Sequence, residues 1–348
     1  MSQGKRTALI VAGALILIGL ILGAVVLGLT GFHPLRLGRS ELEYGSQVIS
    51  EPFDRLNLGV TSMDVTILPS SDGQTRVEWL AKPDLPPQVR VDDGTLVILE
   101  SAEEDSGKWY EHIGGFSSES PCVAVYLARP DLEALSAEGA SGAVLVRDLT
   151  VRGPVSIRAA SGEVTVERVE TADALELRTT SGTLRLEQVT AGCMTLKTSS
   201  GDMGMKDCAT TWVAAEVLEA ESSSGSLLLE RVRTGEANLH TVSGDILLRD
   251  CSASSMILGA ASGELRLEQA VLTQGTLYTA SGDIILDQLE AESVDISTVS
   301  GDVRGTLSAP MRYEVQTTSG RVDVPPSAEE GGRCRVITTS GDVKLAQG

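Results

Sequence analysis

The chain has 348 residues, with 28 Lys and Arg against 48 Asp and Glu, a formal charge of −20, and aromatic residues at only 3%. That balance leaves no basic stripe from which counterions could be released, which excludes nucleic acid and an anionic lipid surface as partners of the folded part. Five cysteines, an odd count without CxxC spacing, provide neither a disulfide framework nor a metal centre, and no cofactor is expected.

Residues 1–6 form a short tail carrying Lys5 and Arg6. Residues 7–30 are an uncharged run of Ala, Leu, Ile, Val and Gly. As a helix, at about 1.5 Å per residue, the run is long enough to cross a hydrocarbon core of about 30 Å, so it is predicted as a transmembrane signal anchor. No Cys follows it for lipid attachment, and the six-residue tail is too short to hold a domain. The single-pass orientation expected therefore keeps the tail in the cytoplasm and everything after the span outside the cell membrane. Arg36 and Arg39 beyond the span weaken the positive-inside signal.

Residues 31–46 read as a juxtamembrane linker and 47–130 as a β-rich N-terminal cap with the first irregular rungs. Leu56, Leu58 and Val60, followed by Val65 and Ile67, alternate like a degenerate rung. Across Asp93-Gly94, Val89 and Val91 face Leu96 and Ile98, which predicts a hairpin. Val123, Val125 and Leu127 are expected to form the strand that enters the regular array.

From residue 131 to the end one signal dominates. Ser-Gly returns eleven times between Ser141 and Gly341, at steps of 19 to 21 residues with one step of 24. Two residues after each Gly, and four after all but Gly301, stand apolar side chains, such as Val164 and Val166 or Ile284 and Leu286. Four and two before each Ser stand pairs such as Leu177 and Thr179 or Ile296 and Thr298. Period two on both sides of a Ser-Gly bend means strand, corner, strand, second corner. A lone rung cannot offset the backbone entropy of ordering it, but rungs stacked at about 4.8 Å merge these columns into one core. The fold class expected is all-β, a single-stranded β-helix (solenoid) of about 19 residues per rung, right-handed because parallel crossovers nearly always are. Cys208 and Cys251 align with an apolar column and Cys334 with another, so they are expected as small core residues. Two rungs, about 10 Å, separate the first two, too far for a disulfide.

The run Phe53-Asp54-Arg55-Leu56-Asn57-Leu58, then Asp64-Val65-Thr66-Ile67-Leu68-Pro69-Ser70, then Lys108-Trp109-Tyr110-Glu111-His112-Ile113, followed by Ser-Gly-Asp repeats behind one apolar span, resembles the putative-adhesin, β-strand-repeat family of bacterial envelope proteins. The resemblance runs from about residue 40 to the end. It implies an envelope β-solenoid of unknown function and brings no catalytic residues with it.

Two chemical features remain. An acidic residue follows the Gly at Asp202, Asp245, Glu264, Asp283, Asp302 and Asp342. Carboxylates one rung apart repel by about 1 kcal/mol even in water. They are read as bonding to corner backbone with Arg266 or Arg304 screening them, the alternative being a weak divalent-cation ladder at Asp245, Glu264, Asp283 and Asp302. Two aromatic islands, Trp109, Tyr110, His112 and Phe116 in the cap and Trp212 in the long fourth step, are read either as contact loops or as plugs of the cap and of a bulge.

His33, His112 and His240 lie far apart in sequence, and no nucleophile, phosphate-loop or metalloprotease motif is present. The expected function is therefore a membrane-anchored, non-enzymatic envelope module, an adhesin-like interaction partner or scaffold. Its partners are expected to be the membrane through the N-terminal helix, and another envelope protein or a second copy through an open C-terminal solenoid edge. The alternative is a polysaccharide lyase or hydrolase using acids of the repeat face such as Asp283 and Asp302.

Overall fold

A computed structural model describes residues 42–101, 120–211 and 216–348. The apolar run 7–30 and the aromatic islands at Trp109, Tyr110, His112, Phe116 and Trp212 lie outside the described residues. Among the described residues no helix is long and apolar enough to cross a membrane. They form one continuous β-structure, and the core is the pair of apolar columns read from the repeats. Val164, Leu184, Leu227, Ile246, Leu265 and Ile284 are all buried on the rising stack. Cα partners follow the Ser-Gly alignment from rung to rung, for example Ser161 with Ser181, then Ser200, then Ser224.

Each rung has three sides rather than two. In one example the chain runs Cys193–Ser200, bends at Gly201, runs Met203–Lys206, bends again at Asp207, and runs Ala209–Thr210 before the next turn. The second bend is left-handed at a residue other than glycine. Asp148, Arg168, Gln188 and Asp207 begin a column that continues through Arg231, Asp250, Gln269 and Gln288, all at φ of 51–58°. Such backbone costs of order 1–3 kcal/mol per residue. Part of that cost is offset where Arg168 forks onto Asp148 (2.5 and 3.0 Å) and Arg231 onto Asp207 (2.6 and 3.0 Å), each pair joining neighbouring rungs.

The Ser-Gly bend needs glycine for a different reason. At Gly244 an added Cβ would sit 2.6 Å from the carbonyl carbon of Gly225 and closer still to its oxygen, and the same overlap recurs from Gly162 to Gly341. Close stacking of backbone on backbone, more than the φ of the bend, forbids a side chain. The serines are lighter partners: Ser141 and Ser161 donate to the Thr61 and Ala140 carbonyls at 3.1 and 3.3 Å. Buried Thr198, Ser222, Thr241 and Thr279 turn their hydroxyls to the glycine carbonyls of the preceding rung.

Both ends of the stack depart from sequence order. At the N-terminal end the degenerate rung is present, but Arg55–Val60 and Asp64–Pro69 lie between the array and a further layer. They pair with Ala134–Ser141 and Val144–Val151 on one side, and with Thr95–Leu99 and Cys122–Leu127 on the other. The strand holding Val123, Val125 and Leu127 therefore caps the degenerate rung instead of entering the regular array. The hairpin across Asp93-Gly94 is formed as read, with Val89 opposite Ile98 and Val91 opposite Leu96. Antiparallel Arg76–Ala81 and Glu43–Val48 complete this end, where the Trp79 side chain fills the space above Gly45.

The C-terminal end repeats the device. Gly332–Ser340 and Val343–Gln347 slot between the rung of Val294–Ser300 and Val303–Leu307 and the outer strands Met311–Ser319 and Val322–Asp323. The expectation that the last residues form the open edge is corrected: the edge belongs to Met311–Ser319, and Val322, aligned with a core column, is 47% exposed. Part of that edge is closed locally. Ser327 Oγ accepts from Tyr313 N–H at 2.9 Å and Ala328 N–H donates to the Met311 carbonyl at 3.0 Å. Cys208, Cys251 and Cys334 are buried and unbridged in their columns, and Cys208 and Cys251 are two rungs apart.

Candidate functional site

The acidic column is structural. Aspartates beyond a corner accept the backbone N–H of the equivalent residue one rung on: Asp202 from Ser226, Asp245 from Glu264 and Asp283 from Asp302, at 2.8–2.9 Å. The bonding follows the stack rather than the chain, since Asp302 accepts from Asp342 and Asp342 from Arg321, both at 2.8 Å. Arg266 pairs with Glu264 and Arg304 with Asp283, each at 2.8 Å. Among the described residues no group of three His, Cys, Asp or Glu side chains is disposed to hold a metal. Of the four carboxylates expected as a cation ladder, Asp245 and Asp302 thus accept backbone N–H groups, Asp283 accepts both backbone and Arg304, and Glu264 pairs with Arg266.

Several carboxylates titrate below their ordinary range. Asp148 and Asp207 do so because Arg168 and Arg231 bond to their oxygens, Glu268 because Arg249 does, and Asp342 because the Arg321 backbone and guanidinium both donate to it. A depressed folded pKa adds stability above the unfolded value, about 4, and that stability is lost as pH falls through the folded value. Thermal melts are therefore expected to be flat down to about pH 5 and to fall steeply below pH 4. The double variant Arg168→Gln, Arg231→Gln should shrink that acid-dependent drop, and an unchanged drop would contradict the assignment.

The outward face of the strands preceding Ser-Gly holds a second arrangement. Its central column, three residues before each Ser, runs Glu138, Arg158, Arg178, Lys197, Glu221, His240, Gly259, Tyr278 across successive rungs. The first half is ionic, with each of its three cations paired to glutamate. Arg158 reaches Glu138 and Glu176 (3.6 and 3.4 Å), Arg178 shares Glu176, and Lys197 lies 3.5 Å from Glu219 and 2.9 Å from Glu221. Beside this wall runs a groove of about 970 Å³ with a floor of small side chains, Ala140, Ala160, Thr180, Ser199 and Ser223, closing at His240 and Val242.

Where the groove closes, the face changes character. Over the strands Arg233–Ser243, Ser252–Ser262 and Val271–Ser281 the outward residues beyond Glu236 carry no formal charge. Val242, Ile257 and Tyr278 are exposed there, Tyr278 to 39%. The Tyr278 ring lies over Gly259: a Cβ at that glycine would fall 2.7 Å from His240 Nδ1 and even nearer to Tyr278 Cζ. Tyr278 Oη stands 3.4 Å from His240 Nδ1, with ring centroids 6.1 Å apart and planes at 37°. Two rings thus form a bent platform across three rungs, made possible by a residue without a side chain. Asn238 and Thr276 flank it in the neighbouring exposed column.

His240 lies far in sequence from the other histidines, and the register brings it together with Tyr278. The signal was available, since both fall three residues before their Ser, as does Gly259. A further groove of about 890 Å³ follows the third corner, lined by residues including Thr210, Glu216, Arg233 and Glu292.

With that geometry in hand, the chain can be set beside known proteins. A family model described as Toastrack DUF4097 matches residues 53–217 and again 210–347. No curated protein matches the sequence. Among solved structures, a putative adhesin from Parabacteroides merdae is 13% identical with a TM-score of 0.36, covering 89% of this chain and 98% of the other. A putative adhesin from Bacteroides fragilis is 15% identical at 0.29, covering 87% and 97%. A putative lipid binding protein from Parabacteroides distasonis is 15% identical at 0.28, covering 89% and 98%. Scores this low add nothing to the family match.

Proposed function

The chain belongs to the Toastrack DUF4097 family, and from that premise we propose that it is a non-enzymatic, adhesin-like docking module of the bacterial envelope. In this reading residues 7–30 hold it in the cell membrane, the right-handed solenoid carries the docking face outward, and an extended ligand lies along the groove beside the Ser-Gly corners. The observation that supports the reading is the continuity of that groove, open over successive rungs, with the Tyr278 and His240 platform at its end. A long shallow groove of this kind suits a linear ligand better than a compact one, because the same contacts recur at each rung, about 4.8 Å apart. Catalysis is disfavoured because Asp283, bonded to backbone and Arg304, and Asp302, bonded to backbone, already serve the stack.

Co-sedimentation of the full chain with the insoluble polymer of the envelope tests this. Filling the groove floor with Thr180→Arg, Ser199→Arg and Ser223→Arg is expected to abolish retention while leaving the melting curve in place. Retention unaffected by the triple variant would overturn the docking role, and release of new reducing or unsaturated ends by the unaltered chain would establish the lyase or hydrolase instead.

A further inference from the structure

Building on the docking face proposed above, we infer that the platform at Tyr278 and His240 binds a neutral, linear oligosaccharide, one sugar ring stacking on Tyr278 and the rest of the chain running into the groove. Four features carry this. The ring of Tyr278 rests above a bare glycine and is 39% exposed, so it is held over the sheet and remains available to a ligand. An aromatic ring fixed in this way offers a large apolar area at little cost in side-chain entropy. The groups around the ring are those that hydrogen-bond hydroxyls: Asn238 and Thr276 beside it, with Ser223 and Ser199 where the groove begins.

Charge selects the class of sugar. In a chain of net charge −20 the platform itself is free of formal charge, and the cations of the groove wall are already matched by Glu138, Glu176, Glu219 and Glu221. A uronate or phosphate polymer would meet those carboxylates without a spare cation to receive it, whereas a neutral sugar chain needs none. The groove floor passes from Ala140 and Ala160 to Thr180, Ser199 and Ser223, so its hydroxyl-bearing half adjoins the platform, an arrangement that suits a glycan crossing from one to the other.

The test is titration of the full chain, by calorimetry, with N-acetylchitohexaose, cellohexaose and polygalacturonate. At least one of the two neutral hexasaccharides is expected to saturate in the micromolar to millimolar range, and polygalacturonate is expected not to bind. Tyr278→Ala should weaken binding by roughly tenfold or more, about 1.4 kcal/mol. Gly259→Ala, which keeps the tyrosine but displaces its ring, should weaken it comparably without altering the melting temperature by more than Tyr278→Ala does. Failure of both neutral probes, preferential binding of polygalacturonate, or affinity indifferent to Tyr278→Ala each overturns the inference. If the hexasaccharides fail while the groove-filling triple variant still abolishes retention on the envelope polymer, the ligand class is wrong and the docking face stands. If Tyr278→Ala turns a dimer into a monomer in light scattering, the platform is a self-interface and the inference falls.

Discussion

Gly244→Ala is expected to be among the most damaging single substitutions the solenoid can receive, destabilising it by more than about 4 kcal/mol, although it adds one methyl group. The new Cβ would overlap the Gly225 carbonyl of the rung below, and its nearest neighbours are backbone atoms that no rotamer change can move aside. Relief requires the rungs to part, which breaks the hydrogen bond from Gly225 N–H to Ser243 O at 3.0 Å and that from Leu227 N–H to Asp245 O at 2.9 Å. Because each rung contacts only its neighbours, the array should split at that point, and limited proteolysis is expected to cut first between the flanking rungs. Ser243→Ala, one residue earlier, is expected to cost no more than about 1 kcal/mol. Comparable melting temperatures for the two variants would refute the close-stacking account of the corner.

The second large effect lies near the chain end, where substitutions are usually harmless. Val343→Asp, five positions before Gly348, is expected to cost upward of about 3 kcal/mol, because its side chain is fully buried between Val303 on one side and Val322 on the other. Val322→Asp, in the same repeat column but on the outer rung and 47% exposed, should change stability by less than about 0.5 kcal/mol. Circular dichroism melts of the two variants decide the point. A harmless Val343→Asp, or the reverse ranking, would mean that the last strand sits at the edge after all.

The contrast between these two valines marks where sequence periodicity stops informing. Spacing identifies which residues share a column, since every rung obeys the same alternation: Leu177 and Thr179 point inward as surely as Ile296 and Thr298. Rung order is a different matter. Strands 311–319 and 332–340 have equivalent patterns, and either could rest on Val294–Ser300; the choice depends on a link of few residues and on the loop from 324 to 331. The left-handed bend was hidden for another reason. Asp148, Arg168 and Gln188 look like ordinary solvated residues, and only glycine or asparagine would have advertised positive φ. The acidic column was legible because a carboxylate beside a corner has a backbone donor within reach. The platform was missed because attention to inward columns passes over the outward one, in which His240, Gly259 and Tyr278 line up.

The threaded ends have a mechanical side. A coil of stacked rungs gripped by its last residue would ordinarily unravel from that point, one turn after another, like yarn drawn from a spool. Here the final segment is clamped between two layers, so a processive protease or a pulling force must shear ladders on both its flanks before anything slackens. At the opposite end Thr95–Leu99 and Cys122–Leu127 cover Arg55–Val60 and Asp64–Pro69, while Glu43–Val48 is held on one side by Arg76–Ala81. A solenoid that holds a surface under load would gain from an edge locked in this way.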